Sequence, residues 1–250
     1  MSKEISSMNK VAIVQARYGS TRLPGKILKE ISGMPMLWHV INRLSFSKLI
    51  DKIVIATTTD FADDKTEQFC KNYKIDYFRG SVGDVLSRYY ETAKLFKADI
   101  VIRITSDCPI IDPAIIDKML KHFLSESDEC DYMSNVIKRT FPRGLDTEIF
   151  TFNALERAMN DAATLYEREH VTSYIYNHAD KFKTKNFSNN KDYSFHRWTV
   201  DTEDDFTLIE KIYEALYQPG KLFLYDDILK LFAQNPELIK INQHIKQKLS

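Results

Sequence analysis

The chain has 250 residues, 44% of them hydrophobic, with 35 Lys and Arg balanced by 35 Asp and Glu. That length and apolar content suit one large α/β domain, with or without an insertion, around a substantial core. The even charge excludes a broadly basic surface for nucleic acid or for an acidic membrane, so any cationic site must be local.

The three cysteines, Cys70, Cys108 and Cys130, are far apart and odd in number. They fit a reducing compartment and neither a disulfide framework nor a zinc site. The first ten residues are polar and lack a secretory pattern. No apolar run approaches the ~20 residues that a membrane span needs. The expectation is a cytoplasmic protein with neither membrane nor nucleic acid as partner.

In chain order, residues 1–9 read as a polar extension, and Val11-Ala12-Ile13-Val14 as a buried strand running to Ala16. Residues 15–26 form a loop holding two glycines, a proline, two hydroxyls and the cations Arg17, Arg22 and Lys26. Met36, Leu37, Val40, Ile41 and Leu44 have helical spacing. A strand follows at 53–56, a helix at 63–73 and a short strand at 75–78. Asp84 caps a helix carrying Val85, Leu86, Tyr89, Ala93 and Phe96. Residues 100–104 form the next strand, and Asp112-Pro113 opens a helix with Asp as cap and Pro at its first position. From 130 to 192 the pattern is less regular, with a strand at 149–152, helices at 154–163 and beyond Tyr166, and a late strand at 195–200. From Asp204 the chain is helical and amphipathic, broken at Pro219-Gly220. Strand–helix alternation implies a mostly parallel sheet with right-handed crossovers, and such sheets bind ligands beyond the carboxyl ends of their strands. The loop, Thr57-Thr58-Thr59-Asp60 and Thr105-Ser106-Asp107 all fall at that edge.

The loop has the makings of a polyphosphate site. Glycine allows close backbone approach, free backbone N–H groups cradle anions, and the three cations add charge-assisted hydrogen bonds. An ordinary basic turn would read the same way. Asp107 closes the 100–104 strand and Asp201 the late one. Two strand-end carboxylates facing a cationic loop suggest a Mg²⁺ site, since Mg²⁺ takes one or two carboxylates plus substrate phosphates. Singly, Asp107 reads equally well as a turn residue and Asp201 as a helix cap. Cys108 reads as packing, with nothing nearby to activate it.

The Ala-Arg-x-x-Ser-x-Arg-Leu-Pro-Gly-Lys pattern of residues 16–26 resembles the nucleotide loop of the cytidylyltransferases that activate sugar acids. The ketodeoxyoctulosonate and acylneuraminate enzymes typify them, and the SpsF-like spore-coat polysaccharide branch is the nearest match. Arg79-Gly80-Ser81, Asp84-Val85-Leu86, Arg88-Tyr89, Thr105-Ser106-Asp107-Cys108-Pro109, Pro142-Arg143-Gly144-Leu145-Asp146-Thr147-Glu148, Arg168-Glu169-His170-Val171-Thr172 and Trp198-Thr199-Val200-Asp201-Thr202 extend the likeness over residues 10 to 216. One departure is Thr105-Ser106-Asp107-Cys108-Pro109 where the ketodeoxyoctulosonate enzymes carry Gln-Gly-Asp-Glu-Pro.

The resemblance implies a three-layer α/β nucleotide-diphospho-sugar transferase fold with a mostly parallel mixed sheet. Within a domain over 10–217, residues 130–192 would form an inserted β-rich lobe for the acceptor and for a homodimer contact. The segment 218–250 is a helical tail that the likeness leaves out. The implied reaction joins CMP from CTP to an acceptor and releases pyrophosphate. Arg17, Lys26 and Asp107 would be catalytic. Gln15, Ala16, Gly19, Ser20, Arg22, Ser81, Asp84 and Ser106 would join Arg17 and Lys26 in binding nucleotide. Asp107 and Asp201 would hold Mg²⁺. Arg143, Asp146, Glu148, Glu169 and His170 would face the acceptor, a sugar acid or a phosphorylated small molecule. Ser81 and Asp84 read equally as a helix start with ordinary capping, and the 167–170 cluster as a charged helix start. Two rivals are a glycosyltransferase of the same fold and a non-catalytic nucleotide binder. The first wants a DxD metal motif at the central strand end, which is absent there. Retention of all three loop cations argues against the second.

Overall fold

A computed structural model describes residues 8–126 and 129–246, so most of the 1–9 extension lies outside the described residues. Seven strands form one sheet in the order β5-β4-β1-β6-β8-β7-β9. These are β1 (Lys10–Gln15), β4 (Lys52–Thr58), β5 (Asp76–Gly80), β6 (Ile100–Thr105), β7 (Tyr132–Ser134), β8 (Glu148–Thr151) and β9 (Thr184–Asn186). Only β8 runs against the others, pairing antiparallel with β6 and β7. The sheet is mixed and mostly parallel, as expected.

The core sits on both faces, as a parallel sheet requires. Alternation along β1 sends Ala12 and Val14 to one face, Val11 and Ile13 to the other, and all four are fully buried. On the first face pack α1 (Met36–Leu44), α2 (Asp64–Tyr73), α4 (Pro113–Ser125), α8 (Glu203–Leu216) and α9 (Tyr225–Gln234). On the second pack α3 (Val85–Leu95), α5 (Phe152–Asp161) and α7 (Ser173–Asn177). The result is three layers. Asp112 caps α4 by accepting from the Ala114 and Ile115 N–H groups at 2.8 and 3.2 Å, with Pro113 next, as the sequence predicts. Among the described residues no helix is long and apolar enough to cross a membrane.

Four findings refine the sequence reading. A two-residue hairpin, β2 (Glu30–Ile31) with β3 (Met34–Pro35), precedes α1. Its turn, Ser32-Gly33, has positive φ at both residues (50° and 80°), the signature of a type I′ turn. Residues 130–192 supply β8, β7 and β9, which continue the main sheet beyond β6. The helix expected beyond Tyr166 is two short ones, α6 (Leu165–Glu169) and α7, parted at Val171 with φ 51°. The late strand at 195–200 forms no ladder, only a bridge of Arg197 to Arg143. Its N–H groups are divided: Trp198 donates to the Arg143 carbonyl at 2.7 Å and Val200 to that of Asp107 at 2.9 Å. Gly144 makes this docking possible, because its φ is +103° and a Cβ there would lie 2.5 Å from the Trp198 backbone. Beyond residue 217, α9 sends Ile228 and Phe232 into the same core.

Candidate active site

The strand order reverses between β1 and β6, and the cleft lies beyond their carboxyl ends, at the point where open α/β sheets bind ligands. About 220 Å³ in volume, it is lined by Gln15, Arg17, Ser20, Thr21, Arg22, Lys26, Thr105, Ser106, Asp107 and Asp201. Three stretches far apart in sequence thus meet in one place.

Lys26 is the centre. Buried at 8% exposure, it opens a 3-10 turn after Gly25. Its Nζ donates to the Val200 carbonyl at 2.6 Å and to Asp201 Oδ1 at 3.0 Å, and lies 3.4 Å from Asp107 Oδ2. Burial opposes its charge, yet Asp107 and Asp201 outweigh burial and hold its pKa above the ordinary lysine value. Asp201 shows the converse. Burial alone would raise its pKa, but Lys26, Arg22 and Arg197 hold it below the usual aspartate range. Arg22 Nη2 reaches Asp201 Oδ1 at 3.1 Å, and Arg197 Nη2 reaches Asp201 Oδ2 at 2.9 Å. Helix α8 is capped by Thr202 and not by Asp201, whose carboxylate turns to the cleft instead. Asp107 likewise turns to side chains, accepting from Thr105 Oγ1 at 2.6 Å.

Gly25 sits at φ +70°, where a Cβ would lie 2.8 Å from the Tyr18 hydroxyl oxygen and 2.9 Å from its ring, whereas Gly19 faces open space. The Tyr18 N–H donates to Asp63 Oδ1 at 2.6 Å, so a buried acid in the 3-10 turn that follows β4 pins the loop. Thr58 and Asp60 of the Thr57–Asp60 stretch serve this local support: Thr58 Oγ1 bonds Asp63, and Asp60 caps the turn at Phe61–Asp63. Arg17 is exposed and, among the described residues, makes no ion pair. Gln15 lies at the cleft and accepts from Arg103 Nη2 at 3.4 Å. Ser106 donates its N–H to the Gln15 carbonyl at 3.1 Å. Ala16 is fully buried and its N–H is spent on the Ala56 carbonyl at 3.1 Å. Ser81 and Asp84 lie past the end of β5, outside the cleft lining. Ser81 Oγ accepts from the Asp84 N–H at 3.1 Å, while Asp84 caps α3 and pairs with Arg168. Burial, with Asp107 and Asp146 beside it, pushes the Cys108 thiol well above its ordinary pKa, which accords with a packing role.

The predicted acceptor residues divide. Glu148 and His170 line a cavity of about 430 Å³ with Arg103, Thr172 and Tyr176. Glu148 accepts from Arg103 Nη1 at 3.0 Å and from Thr172 Oγ1 at 2.8 Å. Arg103 also reaches Gln15, so one side chain joins this cavity to the cleft. Asp146 is held bidentate by Arg139 at 2.5 and 2.8 Å. Arg143 faces a smaller cavity beside His196 and Arg197. Glu169 is exposed on α6.

Among the described residues no three of His, Cys, Asp or Glu gather into a metal cage. Two carboxylate oxygens do converge on one cationic point, the Lys26 ammonium. That donor set is hard, anionic and incomplete, which suits Mg²⁺ finishing its shell with phosphates and water. Sequence reasoning missed Arg197, Asp205 and Asn242 behind Asp201. Arg197 and Asp205 had a signal, an Arg eight residues before an acid that follows a Thr cap; Asn242 had none.

A three-layer α/β fold with a cation-lined cleft at its switch point has the architecture of an anion-binding α/β protein. The sequence profile of the cytidylyltransferase family matches residues 11–237, and this chain belongs to that family, an enzyme of the nucleotidyltransferase class. The spore coat polysaccharide biosynthesis protein SpsF of Bacillus subtilis is 29% identical over 232 residues, covering 90% of this chain and 94% of that protein. The 3-deoxy-manno-octulosonate cytidylyltransferase of Geobacter sulfurreducens is 34% identical over 115 residues, covering 45% of this chain and 44% of that one. A solved cytidylyltransferase from Leptospira borgpetersenii superposes with a TM-score of 0.90 at 38% identity, over 96% of this chain and 100% of that one.

Proposed function

We propose that this protein transfers CMP from CTP to a sugar acid, releasing pyrophosphate, in a Mg²⁺-dependent reaction that serves surface-polysaccharide synthesis. The observation that carries the reading is the meeting of Lys26, Arg22 and exposed Arg17 with Asp107 and Asp201 at the switch point between β1 and β6. The nucleotide names of the family and the acceptor named for the partial relative support the two halves of the reaction.

The acceptor hydroxyl attacks the α-phosphorus and gives its proton to a nearby carboxylate, the bond to the bridging oxygen breaks, and pyrophosphate leaves with the electron pair. Such transfers depend on alignment and charge neutralisation more than on covalent catalysis. Arg17 and Arg22 bind the triphosphate tail, and Lys26, fixed by three oxygens, meets the charge that grows on the leaving group. Asp107 and Asp201 would hold Mg²⁺, which supplies further neutralisation of the phosphates when bound. Glu148 and His170 line the acceptor cavity, where Arg103 offers a cation to the acceptor's carboxylate and abuts the cleft through Gln15.

A homodimer belongs to the same reading, supported by the exposed apolar side chains Ile137, Leu165 and Tyr166 on the acceptor segment; sedimentation reads it directly. The functional test is pyrophosphate release from CTP, UTP, ATP and GTP against a panel of 3-deoxy-2-keto sugar acids, their amino relatives and phosphorylated small molecules. The proposal expects release from CTP with a sugar acid. Release only with a phosphorylated acceptor, or none with CTP, would refute it.

A further inference from the structure

Asp205 lies in the first turn of α8 and is fully buried. Five donors converge on its carboxylate. Oδ1 accepts from Arg197 Nε at 2.8 Å and from Asn242 Nδ2 at 2.8 Å. Oδ2 accepts from Arg197 Nη2 at 2.9 Å and from the N–H groups of Asp201 and Thr202 at 3.0 and 3.1 Å. Arg197 Nη2 also reaches Asp201 Oδ2 at 2.9 Å, so the guanidinium spans the two acids.

Asn242 comes from a different part of the chain. It follows the 3-10 turn Pro236–Ile241, lies 37 residues beyond Asp205, and is only 3% exposed. Its amide nitrogen has two hydrogens and both are used, the second on the Arg197 carbonyl at 2.8 Å. A buried amide is tolerated where its hydrogen bonds are met, and these two end on the residues that hold Asp201. Asp201 faces Lys26 and Arg22 through Oδ1 and Arg197 through Oδ2, so the setting of Arg197 fixes the plane of the cleft carboxylate.

We propose that Asn242 is a positioning residue of the active cleft: the C-terminal segment locks the Arg197–Asp205 pair, and through it holds Asp201 opposite Lys26. This rests on the reading of the cleft as the CTP site. The segment set apart in the sequence as a tail is then a working part of the site, although Asn242 is not among the residues that line the cleft.

The test compares Asn242→Ala and the milder Asn242→Ser with Leu238→Ala in the full chain. Leu238 packs against the core in the same segment but outside the network. Two readouts are taken: the Arg197 Nε–H signal in arginine-¹⁵N-labelled protein, and CTP affinity with Mg²⁺ by calorimetry. Asn242→Ala is expected to shift or broaden the Arg197 signal and to weaken CTP about tenfold, Asn242→Ser less so. Leu238→Ala lowers the thermal midpoint and leaves both readouts at wild-type values. An unmoved Arg197 signal in both Asn242 variants, or an equal loss in Leu238→Ala, overturns the proposal. Should the wild-type protein not bind CTP, the reading of the cleft fails, and the Arg197 signal alone decides the role of Asn242.

Discussion

In the cleft beyond β1 and β6, Lys26, Asp107 and Asp201 arrive from three distant stretches and meet at one ammonium, with no oxygen farther than 3.4 Å. In the segment from 143 to 170, the charges expected to face one acceptor are divided among separate partners. Asp146 goes to Arg139, Glu148 to Arg103, and Glu169 stands in solvent. The difference follows from architecture. A parallel sheet delivers the ends of its strands to one edge, so a polar residue closing a strand finds the others there. The later segment switches strand direction at β8 and breaks its helix at Val171, and its side chains point several ways.

The first way to break this contrast is to remove its centre. Lys26→Met leaves Asp107 and Asp201 without their shared cation and should lower turnover per folded enzyme on the order of 10²–10³-fold in a pyrophosphate-release assay. A loss as large from Glu169→Gln would mean that the two regions are equally focused.

Next comes the support behind Asp201. Asp205→Ala strips a fully buried guanidinium partner and should cost roughly 3–5 kcal/mol of stability in urea unfolding. A cost below about 1 kcal/mol would show that Arg197 is held by other means.

The junction of the two regions carries a pH signature. His196, whose carbonyl receives the Arg143 N–H, is buried against Trp198 and Phe232, and burial lowers its pKa from 6.5 to about 4. The unfolded chain therefore binds a proton that the folded one refuses. Stability is full above pH 6.5 and declines as pH falls toward about 4, by roughly 1–3 kcal/mol. His39, also lowered by burial, adds in the same direction. The lowered pKa of Asp201 adds nothing in this window, because its stabilisation is lost only below the ordinary aspartate value of 3.8. The slope of thermal midpoint against pH should flatten in His196→Gln.

The smallest effect belongs to Glu169→Gln. An exposed side chain outside both cavities should leave stability within about 0.5 kcal/mol and CTP binding unchanged.

Much of the first region was legible in the sequence, because its signals are local: an apolar run, a Gly- and cation-rich loop, and an acid at a strand end. Periodicity located the main strands, and Asp112-Pro113 marked a helix start to the residue. The Ser32-Gly33 hairpin was not read, because two-residue strands carry no period. What could not be read depends on contacts made across the chain. The segment 195–200 has a strand's composition, yet it shares its N–H groups between residue 143 and residue 107. Asn242 reaches Arg197 over 45 residues, and no pattern around it predicts that. The acceptor residues came from the family resemblance, and their partners, Arg139 for Asp146 and Arg103 for Glu148, carry no local signal.

Arg17 offers the most direct test, because it is an exposed cleft cation without an ion pair among the described residues, so its removal should leave the fold intact. Calorimetric titration of CTP with Mg²⁺ into wild-type and Arg17→Ala protein should give a drop in affinity of about tenfold or more, the loss of one charge-assisted contact to phosphate. Equal affinity in the two proteins would contradict the account, since the triphosphate would then lie somewhere other than this cleft.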